Sequence, residues 1–318
     1  MAERRTGRRA GSGGRRPNGD GVSAPLDRGP AHAPVQPRDE ERAHEQAQTL
    51  EREPAQAPGQ PTDGEREHAR LGPGRDDQPG RPAFYALGSG GWRDWVTLLH
   101  PPYTAWHLSY VVFGAAVAPV MDGGRLGATV LGFFLGVGIT AHALDELQGR
   151  PLRTRISSGV LWAVALCSLS VAVALGIIGA ARVTWWLLAC VGFGAFIVLA
   201  YNLELFGGRF HGDWWFAIAW GAFPALTAYL AQTGTIRVEA VLVAGACLLL
   251  SVAQRTLSTP VRRLRRRTAA VAGQIVLDDG TVLPIDEGAL RAAPELALRA
   301  IAYALSLLAL GLVVARLS

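Results

Sequence analysis

The sequence predicts an all-α fold, a polytopic bundle of transmembrane helices preceded by a long disordered tail. Two observations carry that reading. From Trp92 onward, long apolar stretches recur between short charged loops, and a helix needs about 20 predominantly apolar residues to cross a bilayer. From Met1 to Pro82 there is no aromatic residue, and Arg, Glu, Gln, Gly and Pro dominate. A segment of that composition buries too little apolar surface to offset its chain entropy.

Residues 1–90 are therefore read as the tail and residues 91–318 as the membrane domain. Charges of both signs balance along the tail, which argues against a nucleic-acid partner. Its arginine cluster (Arg4, Arg5, Arg8, Arg9, Arg15, Arg16) offers at most weak contact with anionic lipid. No apolar run near Met1 resembles a secretory signal. The expected spans, about seven, are 104–121, 126–144, 156–180, 183–201, 214–231, 238–254 and 296–317. Cys167, Cys190 and Cys247 all fall inside spans, where a disulfide framework is not expected and cysteine serves as a small packing residue. Gly132, Gly136, Gly192 and Gly194 are expected to allow close helix packing.

Loop charge predicts the orientation. Arg150, Arg153 and Arg155 follow the second span, and Arg255, Arg262, Arg263, Arg265, Arg266 and Arg267 follow the sixth. The loops after the odd-numbered spans one, three and five carry only Arg125, Arg182 and Arg237. The positive-inside rule then puts the N-terminal tail and the even loops in the cytoplasm, and a bacterial plasma membrane is the expected location. Before the last span, Asp279-Gly280 separates two β-prone runs, which predicts a hairpin over residues 274–285 that can cap the cytoplasmic mouth.

Ionisable residues near a bilayer core are costly and mark candidate sites. The second span ends in His142, Asp145 and Glu146, spaced three and four apart so that they share a helix face. Arginines follow at once. The loop after the fourth span, on the same predicted side, brings Glu204, Arg209, His211 and Asp213. Two carboxylates and an imidazole can hold a metal ion, and the arginines an anion.

Several phrases, in order, resemble the UbiA superfamily of intramembrane prenyltransferases. They are Leu99-His-Pro-Pro102 before the first span, Arg150-Pro-Leu-Arg-Thr-Arg-Ile-Ser157 after the second, and Ala200-Tyr-Asn202 ending the fourth. Asp213-Trp-Trp, Trp220-Gly-Ala-Phe-Pro-Ala-Leu-Thr-Ala-Tyr229 and Arg266-Arg-Thr-Ala-Ala-Val-Ala-Gly273 complete the series. The resemblance implies transfer of a prenyl group from an isoprenyl diphosphate to a lipophilic acceptor. It implies Mg²⁺ bridging carboxylates and diphosphate, with arginines hydrogen-bonding phosphate and aromatic faces stabilising a carbocation. On this pattern Asp145 and Glu146 are the catalytic candidates, and His142, Asp145, Glu146 and Glu204 the metal ligands. Arg150, Arg153, Arg155, Tyr103, Trp106, Asn202 and Trp214 are the substrate-binding candidates.

The chain departs from the family in two places. The first acidic motif is reduced to His142, Asp145 and Glu146, and no acidic residue lies between Glu239 and Asp278, where a second motif belongs. The superfamily usually has nine spans. Asp278, Asp279, Asp286, Glu287, Glu204 or Asp213 are candidate replacements, as is diphosphate binding by the arginine run itself. Two other readings stay open. One is a membrane enzyme with a His and carboxylate site for Fe, Mn or Zn, built from His142, Asp145, Glu146, Glu204, His211 and Asp213. The other is a non-catalytic lipid-binding or scaffold protein.

Overall fold

The computed structural model describes residues 81–318. The expected tail lies outside those residues except at its end, where the boundary moves: residues 81–90 pack on the bundle, with Ala83 and Ala86 buried and the Leu87 amide donating to Thr97 Oγ1 at 2.9 Å.

The helices are α1 (Trp92–Leu98), α2 (Pro101–Ala116), α3 (Gly123–Leu147), α4 (Ser158–Arg182), α5 (Leu187–Asn202), α6 (Asp213–Thr233), α7 (Val238–Arg267) and α8 (Glu287–Leu317). Five of them, α3, α4, α6, α7 and α8, are long and apolar enough to cross a membrane. Helices α2 and α5, where two further spans were expected, have 16 residues each. Local signals set the ends. Asp122, Ser157 and Asp286 cap α3, α4 and α8 by accepting from the backbone amides of Arg125, Val160 and Ala289, and Gly234 ends α6 with a φ of 74°.

Helix α6 sits at the centre. Its most apolar window is 61% buried against 17% for α4, and it joins two cores. One packs Val137, Leu144, Leu161, Ile197 and Tyr201 around Trp220. The other packs Trp106, Tyr110, Phe113, Cys247 and Leu298 around Ala225. Contact between α2 and α6 is backbone-close: a Cβ on Gly114 would collide with the Ala225 carbonyl. The outer surface is apolar, with Leu166, Val171, Leu242, Leu249, Leu307 and Val314 exposed. Exposed tryptophans mark both ends, Trp92 and Trp214 at one and Trp185 and Trp186 at the other, as at membrane–water boundaries.

Two helices carry a widened, π-helical stretch: Phe134–Ala141 within α3 and Ala217–Ala222 within α6. Between α7 and α8, Gln274–Val276 (β1) and Val282–Pro284 (β2) pair antiparallel, turning at Asp279-Gly280, where Gly280 has φ 82°. The hairpin thus forms where its turn signal lies, but both strands are fully exposed.

Candidate functional site

A polar cavity of about 360 Å³ opens at the bundle end that carries the arginine-rich loops. Each wall comes from a different helix. The α3 end supplies His142 and Asp145, α2 supplies Tyr103 and His107, and the α5 end supplies Tyr201 and Asn202. Helix α7 contributes Gln254, Arg255, Ser258, Val261, Arg262, Arg265 and Arg266, a set of positions spaced to share one helical face. Residues 82–85 lie across the cavity, held by the Pro82 carbonyl accepting from Arg266 Nε at 3.1 Å and by Phe84 under the Arg299 guanidinium.

Four histidines line this space, and each has Nδ1 on a backbone carbonyl: His100 on Leu98 (2.8 Å), His107 on Trp220 (2.9 Å), His142 on Gly138 (3.0 Å) and His211 on Tyr201 (2.9 Å). A carbonyl only accepts, so Nδ1 carries a proton, and in the neutral imidazole Nε2 is then an acceptor. His100 and His142 stack at 4.0 Å. Burial, and then the neighbouring His142, push the His100 imidazole well below its ordinary value, and burial raises the Tyr85 phenol well above its own. His100 and Glu204, both on the cavity wall, have φ of 46° and 49°, a left-handed conformation that costs a non-glycine residue on the order of 1 kcal/mol or more.

The structure brings together His142, Asp145, Glu204, Tyr103 and Asn202 from among the expected site residues. Others have different work. Glu146 is fully buried and turns away from the cavity, its oxygens accepting from the Leu152 and Thr154 amides (2.9 and 2.8 Å) and the Thr154 hydroxyl (2.9 Å). It organises the loop between α3 and α4 and is not on the cavity wall with Asp145, where it was expected as a metal ligand and catalytic group. Arg150 staples the same loop through the Ile156 carbonyl and Ser158 Oγ (2.5 and 2.8 Å). Arg153 and Arg155 are exposed outside the cavity wall, and the Arg155 amide donates to Asp94 Oδ2 at 2.8 Å. Trp106 lies in the core with its indole N–H on the Tyr110 hydroxyl, and Trp214 is on the outside. Asp213 pairs with Arg255 at 2.7 Å. None of Asp278, Asp279, Asp286, Glu287 or the hairpin lines the cavity.

Sequence reasoning passed over His100, His107, Tyr85 and Gln254. A histidine inside an apolar stretch was itself a signal for His107; no local pattern marks the others. The cavity's acidic lining is Asp145 and Glu204, against Arg255, Arg262, Arg265, Arg266 and Arg267. Among the described residues no three His, Cys, Asp or Glu side chains are grouped to hold a metal ion. This donor set does not fit a two-Mg²⁺ arrangement, which needs a second carboxylate group where α7 instead presents Gln254, Arg255 and Arg262.

A second, apolar chamber of about 740 Å³ lies between α3, α4, α5 and α6. Its wall runs along α3 from Arg125 to Val137, roughly 18 Å at the helical rise. Gly132 and Gly136 line it, and a Cβ on either would meet nothing within 4 Å. These glycines therefore create open volume rather than the close packing expected of them. Half-exposed Ile178 is also on this wall, so the chamber opens on the apolar outer surface of the bundle. Trp220 borders both the chamber and the polar cavity. The chain matches no family model, and comparison with curated proteins and with solved structures found no match.

Proposed function

We propose that the chain is an integral membrane prenyltransferase of the UbiA type, with about seven spans and its polar cavity facing the cytoplasm. An isoprenyl diphosphate would lie with its tail in the chamber and its diphosphate in the polar cavity. The single observation supporting this is Trp220, a wall shared by an apolar space open on the bundle's outer surface and a polar space rich in arginine. An amphiphile with a long tail and an anionic head matches that junction. At the junction the allylic C–O bond breaks, and its electron pair leaves with the diphosphate toward the guanidinium groups. The faces of Trp220, Phe216 and Tyr201, within 4.6–6.2 Å of one another, are suited to stabilising the carbocation. The acceptor atom bonds to the prenyl carbon, and its proton passes to the Nε2 of a neutral histidine, His142 being the one on the same helical turn as Asp145.

The missing second carboxylate group favours one alternative, a protein that binds the same amphiphile without reacting it. The two separate by measuring pyrophosphate release from farnesyl and geranylgeranyl diphosphates, using full-length protein in nanodiscs and a panel of quinone-type and phenolic acceptors. Release that His142→Ala and Asp145→Ala abolish supports transfer. Binding without release, at every chain length and with every acceptor, refutes it and leaves the carrier reading.

A further inference from the structure

We infer that the polar cavity binds a phosphoryl or diphosphate group through Arg262 and Arg266 without a divalent metal ion. This rests on the preceding reading only in taking an anionic head as the cavity's ligand. Of the five arginines of α7 that line the cavity, Arg267 is exposed and the other four divide into two kinds. Arg255 is neutralised by Asp213 at 2.7 Å, and Arg265 grips Glu295 through Nε and an NH₂ group at 2.5 and 2.8 Å. Arg262 and Arg266, one turn apart, have no carboxylate within salt-bridge distance among the described residues. Arg262 donates to the Ser258 and Thr259 hydroxyls (2.9 and 3.1 Å), and Arg266 Nε to the Pro82 carbonyl.

Both residues are partly withdrawn from solvent, whereas their neighbour Arg263 is exposed and off the cavity wall. Arginines serving only as a topology signal have no reason to face inward. Two like charges stacked one turn apart repel, and a bound dianion would reverse that repulsion. Guanidinium forks match phosphate oxygens geometrically. The Tyr85, Tyr103 and Tyr201 side chains also line the cavity. Gln254 is 4% exposed, and its Oε1, an acceptor, has no hydrogen-bond partner among the described residues, which leaves a place for a donor such as a bound water beside the anion rather than for the anion itself. At ~30 Å³ per water the cavity holds about twelve, room for a diphosphate and a few waters.

The test is calorimetric titration of inorganic pyrophosphate into full-length protein in neutral-lipid nanodiscs, with EDTA or with Mg²⁺. Binding should persist in EDTA. Arg262→Gln and Arg266→Gln should each weaken it by about tenfold or more, and Arg263→Gln should leave it unchanged. The charge-preserving Arg262→Lys should fall between, which separates lost recognition from lost folding. Nanodiscs doped with phosphatidic acid form a second arm: competition with pyrophosphate identifies a lipid headgroup as a source of the phosphate, and no competition identifies a free or prenyl phosphate. No pyrophosphate binding, binding that requires Mg²⁺, or equal loss in Arg263→Gln overturns the inference. If pyrophosphate binds this way while isoprenyl diphosphates are not consumed, the metal-free site stands and prenyl transfer falls.

Discussion

Filling the chamber should shorten the tail that the protein accepts without touching the head site. In Gly132→Leu combined with Gly136→Leu, about eight added carbon atoms, each displacing a volume on the order of ~30 Å³, take up roughly a third of the 740 Å³ chamber. Neither position has a neighbour within 4 Å of an added Cβ, and leucine is the better helix former by up to about 1 kcal/mol, so the fold should survive. The cost to a ligand is not the water-to-oil transfer energy, because a displaced tail stays in hydrocarbon. What is lost is packing, and overfilling of that kind costs about 1–3 kcal/mol, or roughly 5- to 150-fold in affinity. In nanodisc titrations, geranylgeranyl diphosphate should weaken by that factor while inorganic pyrophosphate is unaffected. Equal weakening of both, or of neither, would refute the claim that the chamber holds the tail.

Three further outcomes follow from buried groups. Glu295→Ala removes the buried carboxylate that Arg265, its side chain 4% exposed, grips, so unfolding should be easier by about 3–5 kcal/mol in a thermal melt. Glu146→Gln puts an amide NH₂ against a backbone N–H and should cost about 1–3 kcal/mol of stability, whereas Asp145→Asn should leave the melt in place and change only ligand behaviour. In the fold, burial first and then His142, Arg266 and Arg262 depress the proton affinity of His100, while the unfolded chain takes up a proton below about pH 6.5. The unfolded state then binds more protons, so stability falls with acidification from that pH downward, by up to about 1.4 kcal/mol per pH unit for this group. His100→Asn, which tolerates the left-handed backbone, should flatten the dependence of melting temperature on pH; an unchanged slope would show that His100 does not carry it.

The helices and the hairpin were legible because each has a local cause: an apolar run, a capping Asp or Ser, a Gly at a turn. The convergence of His142, Asp145, Glu204 and Asn202 was legible because loop charge assigns them one side. The division of labour among charges was not. Arg150, Arg262 and Arg265 look alike in sequence, yet one staples a loop, one lines the cavity bare of carboxylate, and one is sealed by Glu295, thirty residues away. Spacing says which arginines share a face and nothing about which helix faces them.

Glu146 illustrates the limit more sharply. Residues three and four along from His142 straddle it, and consecutive helical residues stand about 100° apart. A cavity narrow enough to be lined by Asp145 leaves its neighbour pointing toward the loop, so one face could not deliver both carboxylates. The widened stretches add a second effect invisible to periodicity. In α3 the stretch ends at Ala141, directly before His142, and in α6 it contains Trp220. A widened turn relaxes the regular backbone ladder, and the Gly138 and Trp220 carbonyls within these stretches accept from His142 and His107. The widened stretches of α3 and α6 thus each supply the carbonyl that fixes the Nδ1 proton of one cavity histidine. Breaks of this type recur at functional sites, and here both border the junction between the apolar chamber and the polar cavity.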